Sequence, residues 1–224
     1  KVGTSTLTHR TGMLNIRRVE QLVKTLADIQ NSGHEVILVS SGAIGLGMGK
    51  LGLRERPKDT PGKQACAAVG QCELMYLYDN LFAEYSITVA QMLLTKYILL
   101  EDRRKNVENA MERLIAHGVI PIINENDTVA IDELELEVGE NDSLAATVAA
   151  IAKADLLIIM SDIDGLYDKD PHTYDDARLI PVVHEITDDI RALAGGAGTK
   201  LGTGGMITKL NAVEIAYDSD IDVV

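Results

Sequence analysis

Cysteine is scarce in this chain: Cys66 and Cys72 stand six residues apart in a segment whose pattern is helical. They form neither a CxxC pair nor a secreted disulfide framework, which points to a reducing compartment. The five histidines (His9, His34, His117, His172 and His184) are scattered and match no zinc spacing. No apolar run approaches the ~20 residues a bilayer span requires, so no membrane association is expected. Basic residues are outnumbered, 21 Lys and Arg against 34 Asp and Glu, for a formal charge of −13. A surface of that sign repels nucleic-acid phosphates and anionic lipid, yet it leaves room for a small anion wherever a few lysines and N–H groups converge. A GxxxxGK[ST] phosphate loop is missing, as are the HRD and DFG patterns of protein kinases. Gly45, Gly47 and Gly49 make half of a dinucleotide fingerprint, without its full spacing or the acidic residue ending the next strand. That argues against a nicotinamide-dependent oxidoreductase.

What is present suits one globular domain spanning residues 1–224, with 46% of its residues hydrophobic and 25% charged. The chain begins on what reads as a strand already under way at Val2-Gly3 and ends on one just begun at Ile221–Val224. It is read as trimmed at both ends. Val19, Leu22, Val23, Leu26 and Ile29 recur at helical spacing, so a helix is predicted over 17–30, stopped by Gly33. Further helices are predicted over 64–85, 103–117, 142–152 and 206–217. Apolar runs without polar alternation at 35–40, 119–123 and 156–160 read as buried strands, and 87–93 reads as a further strand. Asp164–Arg178 is polar and turn-rich, a surface excursion. Strand and helix alternating in this way specify an α/β fold, a mostly parallel central sheet sandwiched between helices in three layers.

In such a sheet ligands gather beyond the carboxyl ends of the strands, and the unusual residues lie there. Lys1 and Gly3 follow the first strand; Ser40-Ser41-Gly42-Ala43 follows the second. Asn124-Glu125-Asn126-Asp127, Ser161-Asp162 and the glycine-rich opening of the last helix, Gly202–Lys209, follow later ones. Each has a plainer reading. Gly42, Gly45, Gly47 and Gly49 suit turns and packing better than a ligand cradle. Asn124–Asp127 suits a turn, and Asn141 or Asp142 suits a helix N-cap. Glycines opening a helix, with Lys209 one turn inside, are a better anion site. Lys1 entering a glycine-serine turn is the kind of fixed cation that phosphoryl transfer needs.

Taken in order, Lys1-Val2-Gly3-Thr4-Ser5, Ser40–Ala43, Gly70-Gln71, Gln91–Thr95, Asn124–Asp127, Gly139–Leu144 and Gly202–Lys209 resemble the glutamate 5-kinase family of the amino-acid kinase superfamily. The likeness covers essentially the whole chain. It implies ATP over the C-terminal half, met by Lys1, Gly3, Ser161, Asp162, Thr203, Gly204, Gly205, Met206, Ile207, Thr208 and Lys209. It implies L-glutamate over the N-terminal half, met by Ser41, Gly42, Asn124, Asp127 and Asn141. Lys1, Lys209 and Asp142 stand as the catalytic set. Mg²⁺ is implied with the ATP phosphates and no residue is assigned to it. The resemblance further implies cytoplasmic location, a homo-oligomer (dimer or tetramer), proline feedback inhibition and the opening step of proline biosynthesis. Family members commonly carry a C-terminal RNA-binding-like PUA domain, for which this chain has no segment.

The residue chemistry fits these implications. A carboxylate is already a nucleophile at neutral pH, so the problem is bringing two anions together. Lys1 and Lys209 would neutralise the transferring group, and loop N–H groups would hold the phosphates. Asp142 would orient the lysines or hold Mg²⁺, and the sequence leaves both roles open. Asp127 would pair with a free ammonium, which argues against N-acetylglutamate as substrate. Asp132–Glu137 reads equally as a substrate-side loop or a solvated hairpin. The rival readings are another amino-acid kinase, of N-acetylglutamate kinase or aspartokinase type, and a non-catalytic ATP-binding sensor.

Overall fold

The computed structural model describes residues 1–9, 13–95, 101–129, 140–194 and 205–224. The chain folds as two compact units, Lys1–Glu137 and Val138–Val224. Numbered in chain order, the helices are α1 (Thr4–Leu7), α2 (Ile16–Asn31), α3 (Ala43–Leu51), α4 (Thr60–Ala83), α5 (Glu101–Ala116), α6 (Glu140–Ala152), α7 (Asp188–Ala194) and α8 (Gly205–Tyr217). The strands are β1 (Leu38–Val39), β2 (Val89–Leu94), β3 (Ile120–Glu125), β4 (Leu156–Leu157) and β5 (Asp222–Val223).

In the first unit three parallel strands stand in the order β1-β3-β2. A parallel bridge from Val2 to Ser40 adds the start of the chain beside β1. The middle strand, β3, is buried along Ile120–Asn124, as a strand covered on both faces should be. Ile120 and Ile122 enter a core with Leu38, with Val19, Val23 and Ala27 of α2, and with Leu74, Tyr78 and Phe82 of α4. Each large aliphatic side chain so buried contributes about 1.5–3 kcal/mol. The helices begin where local chemistry allows. Asn15 caps α2 by accepting the Arg18 N–H, and Asp59 caps α4 by accepting that of Gly62, ahead of a proline in its first turn.

The run 35–40 contributes a two-residue strand, shorter than its composition predicts. Pro121 supplies a reason. Ile120 donates its N–H to Thr88 on the β2 side, so the next backbone nitrogen faces β1. Proline has no hydrogen to give there, and the β1 ladder begins only at Leu38 opposite Ile122.

α3 and α4 pack backbone to backbone. A Cβ on Gly47 would lie 1.8 Å from the Cys66 carbonyl oxygen, and one on Gly70 would lie 1.7 Å from that of Ala43. Of the glycine run, Gly47 therefore serves packing while a Cβ on Gly49 would meet nothing, and Gly42 serves a turn with φ of +110°.

The second unit sets α6 against α8 over a two-stranded parallel sheet, β4-β5. Ala145, Ala146, Val148 and Ala149 of α6 and Leu210, Ala212 and Ala216 of α8 are buried. The run 156–160 corrects its sequence-based reading. Leu157 is buried, but Leu156, Ile158 and Met160 are 43–48% exposed, so this strand alternates instead of being buried on both faces. Residues 164–180 form the expected surface excursion, closed by a bridge between Tyr167 and Leu179. Among the described residues no helix is long and apolar enough to cross a membrane.

Candidate active site

The first unit brings several of the expected residues to one sheet edge. Val39 pairs with Ile123 in parallel register, and Val2 bridges to Ser40. Gly3 and Ser41 therefore leave the sheet side by side at its carboxyl edge, close to Asn124, which is still paired with Leu93 near the end of the β3 ladder. Backbone hydrogen bonds hold this arrangement: Val2 N–H to the Val39 carbonyl at 2.9 Å, Ser40 N–H to Ile123 at 2.9 Å and Ser41 N–H to Val2 at 3.0 Å. The Lys1 ammonium folds back over Gly3, 3.6 Å from where a Cβ there would sit. Gly42 turns the chain into α3, whose N-terminal N–H groups face the same edge. Asn124 is buried and donates to the Gln71 side-chain oxygen at 2.9 Å. Asp127, half-buried, follows in a turn where Thr128 donates to the Asn126 side chain at 2.6 Å.

The second unit gathers the phosphate-side candidates on α6 and α8. Asp142 is 2% exposed, in the first turn of α6. Its carboxylate is directed to α8. One oxygen, Oδ2, lies 3.4 Å from the Lys209 ammonium and 3.2 Å from the Thr208 hydroxyl. The Gly205 carbonyl oxygen lies 3.3 Å from the same ammonium and 3.1 Å from the same hydroxyl, so the single Thr208 proton is shared between this carbonyl and Asp142. A charge-assisted hydrogen bond at its best is about 2.7–2.9 Å, so Lys209 is held loosely, between two acceptors. Asn141 is adjacent on α6, and Met206 and Ile207 are half-buried on the first turn of α8. Ser161 and Asp162 follow β4, exposed, with the serine hydroxyl 3.4 Å from the aspartate. Thr203, Gly204 and the stretch Asp132–Glu137 lie outside the described residues.

Gln71 holds the side chain of the candidate residue Asn124, although no role was read for it from the sequence. The signal was available: Lys63, Cys66, Ala67, Gly70, Gln71, Leu74, Tyr78 and Phe82 form one buried stripe of α4 at helical spacing. A polar group on such a stripe must find a hydrogen-bond partner inside.

The family model for the amino acid kinase family matches residues 1–224, the whole chain and both units. A glutamate 5-kinase of Clostridium acetobutylicum is 54% identical over 225 residues, covering 100% of this chain and 84% of that protein. The chain belongs to the amino acid kinase family, in its glutamate 5-kinase branch. A second relative of the branch, the glutamate 5-kinase of Caldanaerobacter subterraneus subsp. tengcongensis, is also 54% identical over 225 residues. This kinase chain spans 60% of that protein's length. Among solved structures, an isopentenyl phosphate kinase superposes with a TM-score of 0.62 at 16% identity, covering 100% of this chain and 88% of its own. The product complex of the T. acidophilum isopentenyl phosphate kinase gives 0.60 at 17% identity, covering 99% and 86%. At such identity these two likenesses carry the amino acid kinase fold alone.

Proposed function

We infer that this chain transfers the γ-phosphoryl group of ATP to the side-chain carboxylate of L-glutamate, giving L-glutamyl 5-phosphate for proline biosynthesis. The observation that carries the mechanism is the buried Asp142 on α6 holding Lys209 and Thr208 of α8. A carboxylate substrate needs no general base, so the enzyme's work is charge neutralisation and alignment. Lys209, loosely held, is free to move its ammonium from Asp142 and Gly205 onto the transferring phosphoryl group. Asp142 keeps that ammonium aimed while the substrate is absent. Lys1, beside Gly3, is the cation of the first unit assigned to the nucleotide.

Ser41, Gly42, Asn124, Asp127 and Asn141 are assigned to glutamate. Asp127 would receive its ammonium, and the N–H and amide groups its carboxylates. Ser161, Asp162, Gly205, Met206 and Ile207 complete the ATP assignment. Mg²⁺ would enter on the nucleotide and neutralise phosphate charge. Homo-oligomer formation, inhibition by proline and cytoplasmic location belong to the same proposal and are supported by family membership.

The test compares ADP release from Mg²⁺-ATP with L-glutamate, N-acetylglutamate and L-aspartate, with hydroxylamine trapping the acyl phosphate. Turnover with L-glutamate alone is expected. Preference for N-acetylglutamate would overturn the role of Asp127. ATP binding without turnover on any acid would favour the sensor reading.

A further inference from the structure

We propose that Tyr78 is a positioning residue, acting through Ser40 to set the direction in which the Gly42 N–H meets a carboxylate of the amino-acid substrate. The proposal rests on the assignment of the Ser41–Gly42 loop to that substrate.

Tyr78 lies on α4, fully buried in the core, with its ring packed against Phe82 at 6.3 Å between centroids. Its hydroxyl is 2.8 Å from the hydroxyl of Ser40, itself fully buried at the end of the strand carrying the loop. Ser40 in turn donates to the Ser41 carbonyl at 3.2 Å. A serine hydroxyl has a single proton. The 2.8 Å contact allows either hydroxyl to donate; with the Ser40 proton assigned to the Ser41 carbonyl, Ser40 accepts from Tyr78 and the relay runs Tyr78 to Ser40 to the Ser41 carbonyl. Burial raises the Tyr78 phenol well above its ordinary range, so it keeps the proton it donates.

The consequence falls on the next peptide. The strand hydrogen bonds fix the chain as far as the Ser41 N–H, which donates to Val2. The Ser41–Gly42 peptide lies beyond that ladder. No peptide bond of the described chain is cis, and in a trans peptide the C=O and N–H point in opposite directions. Drawing the Ser41 carbonyl down to the buried Ser40 hydroxyl therefore turns the Gly42 N–H away from the core. Gly42 itself stands at φ of +110°, in the left-handed region that favours glycine. The relay helps to set this peptide's direction before substrate arrives, so that ordering is not charged against binding.

Tyr78→Phe keeps the ring and removes only the phenol. Ser40→Ala breaks the same chain one step later, so the test survives if one variant folds poorly. Each is expected to raise the KM for glutamate roughly 3- to 10-fold, the worth of one hydrogen bond, while the KM for ATP stays within about 1.5-fold. The double variant is expected to match the worse single one, because both interrupt one relay. Multiplying effects would overturn the relay. So would a Tyr78→Phe enzyme of lower melting temperature and unchanged glutamate KM, since that is the mark of a purely structural hydroxyl. Ser41→Ala separates the two levels. If it raises the glutamate KM and Tyr78→Phe does not, the loop assignment stands and the role of Tyr78 falls. If Ser41→Ala also leaves the glutamate KM unchanged, the loop assignment falls and takes the proposal with it.

Discussion

Replacing Gly70 with alanine should separate α3 from α4, and the structure sets the scale. The added Cβ would sit 1.7 Å from the Ala43 carbonyl oxygen and 2.5 Å from the Gly47 nitrogen. Ordinary contact at a Cβ begins near 3.4 Å, so relief requires the helices to part by 3.4 − 1.7, or 1.7 Å. Both obstacles are backbone atoms of a helix and cannot swing aside as a side chain would. Overpacking a core costs about 1–3 kcal/mol even where side chains can adjust, so ~3 kcal/mol or more is expected here. For a chain of this size that lowers the melting temperature by about 6–12 °C. Gly47→Ala should behave alike, its Cβ falling 1.8 Å from the Cys66 carbonyl oxygen. Gly49, on the same helix, supplies the control. Nothing lies within 4 Å of its added Cβ, and an alanine there should stabilise the helix by about 0.5–1 kcal/mol. Thermal unfolding followed by circular dichroism reads all three. A Gly70→Ala protein melting within about 2 °C of the parent would refute the close approach of the helices.

Other outcomes follow from the same geometry. Lys209→Ala should lower kcat by roughly 10²–10³, the usual loss when a group stabilising transition-state charge is removed, with a smaller change in the KM for glutamate; steady-state kinetics checks the split. Asp142→Asn keeps the shape but no longer anchors the ammonium, so kcat should fall by a smaller factor while the melting temperature stays close to that of the parent. Gln71→Met removes the partner of the buried Asn124 amide and should cost about 1–3 kcal/mol, read by urea unfolding. Asp170 accepts hydrogen bonds from the Thr173 hydroxyl and the His172 N–H, which hold its carboxyl below the ordinary carboxylate range. Its folded value being depressed, its contribution to stability is present above the ordinary carboxylate range and is lost as pH falls through the lowered value. An NMR titration should show that depression, and Thr173→Val should move the carboxyl back upward.

Much of the architecture could be read from period alone. The helix predicted over 17–30 is α2, and the run 119–123 is the core of β3, because amphipathic spacing and an unbroken apolar run each match one environment. The run at 156–160 shows the limit of that logic. Its apolar composition matches that of β3, but burial depends on what covers each face, and Leu156, Ile158 and Met160 are left exposed. The trimming of β1 depends on Pro121, a residue more than eighty positions away, through a ladder that only the fold brings together. The same distinction applies at the site. Gly3, Ser41 and Asn124 were legible at one edge because parallel strands end together. The contacts of Asp142, Gln71 and Tyr78 were not, since each is made with a partner distant in sequence: Lys209, Asn124 and Ser40.

The central claim is that a glutamate carboxylate oxygen attacks the γ-phosphorus of ATP on this enzyme. The most direct measurement uses L-glutamate labelled with ¹⁸O in its side-chain carboxylate, turned over with Mg²⁺-ATP in the presence of hydroxylamine. Hydroxylamine attacks the acyl carbon of the product and expels phosphate, which keeps the oxygen that bridged carbon and phosphorus. The account requires one ¹⁸O atom in each phosphate released, and loss of that phosphate in Lys209→Ala. Phosphate free of label, formed at the same rate, would mean that water had been the acceptor, and would contradict the account.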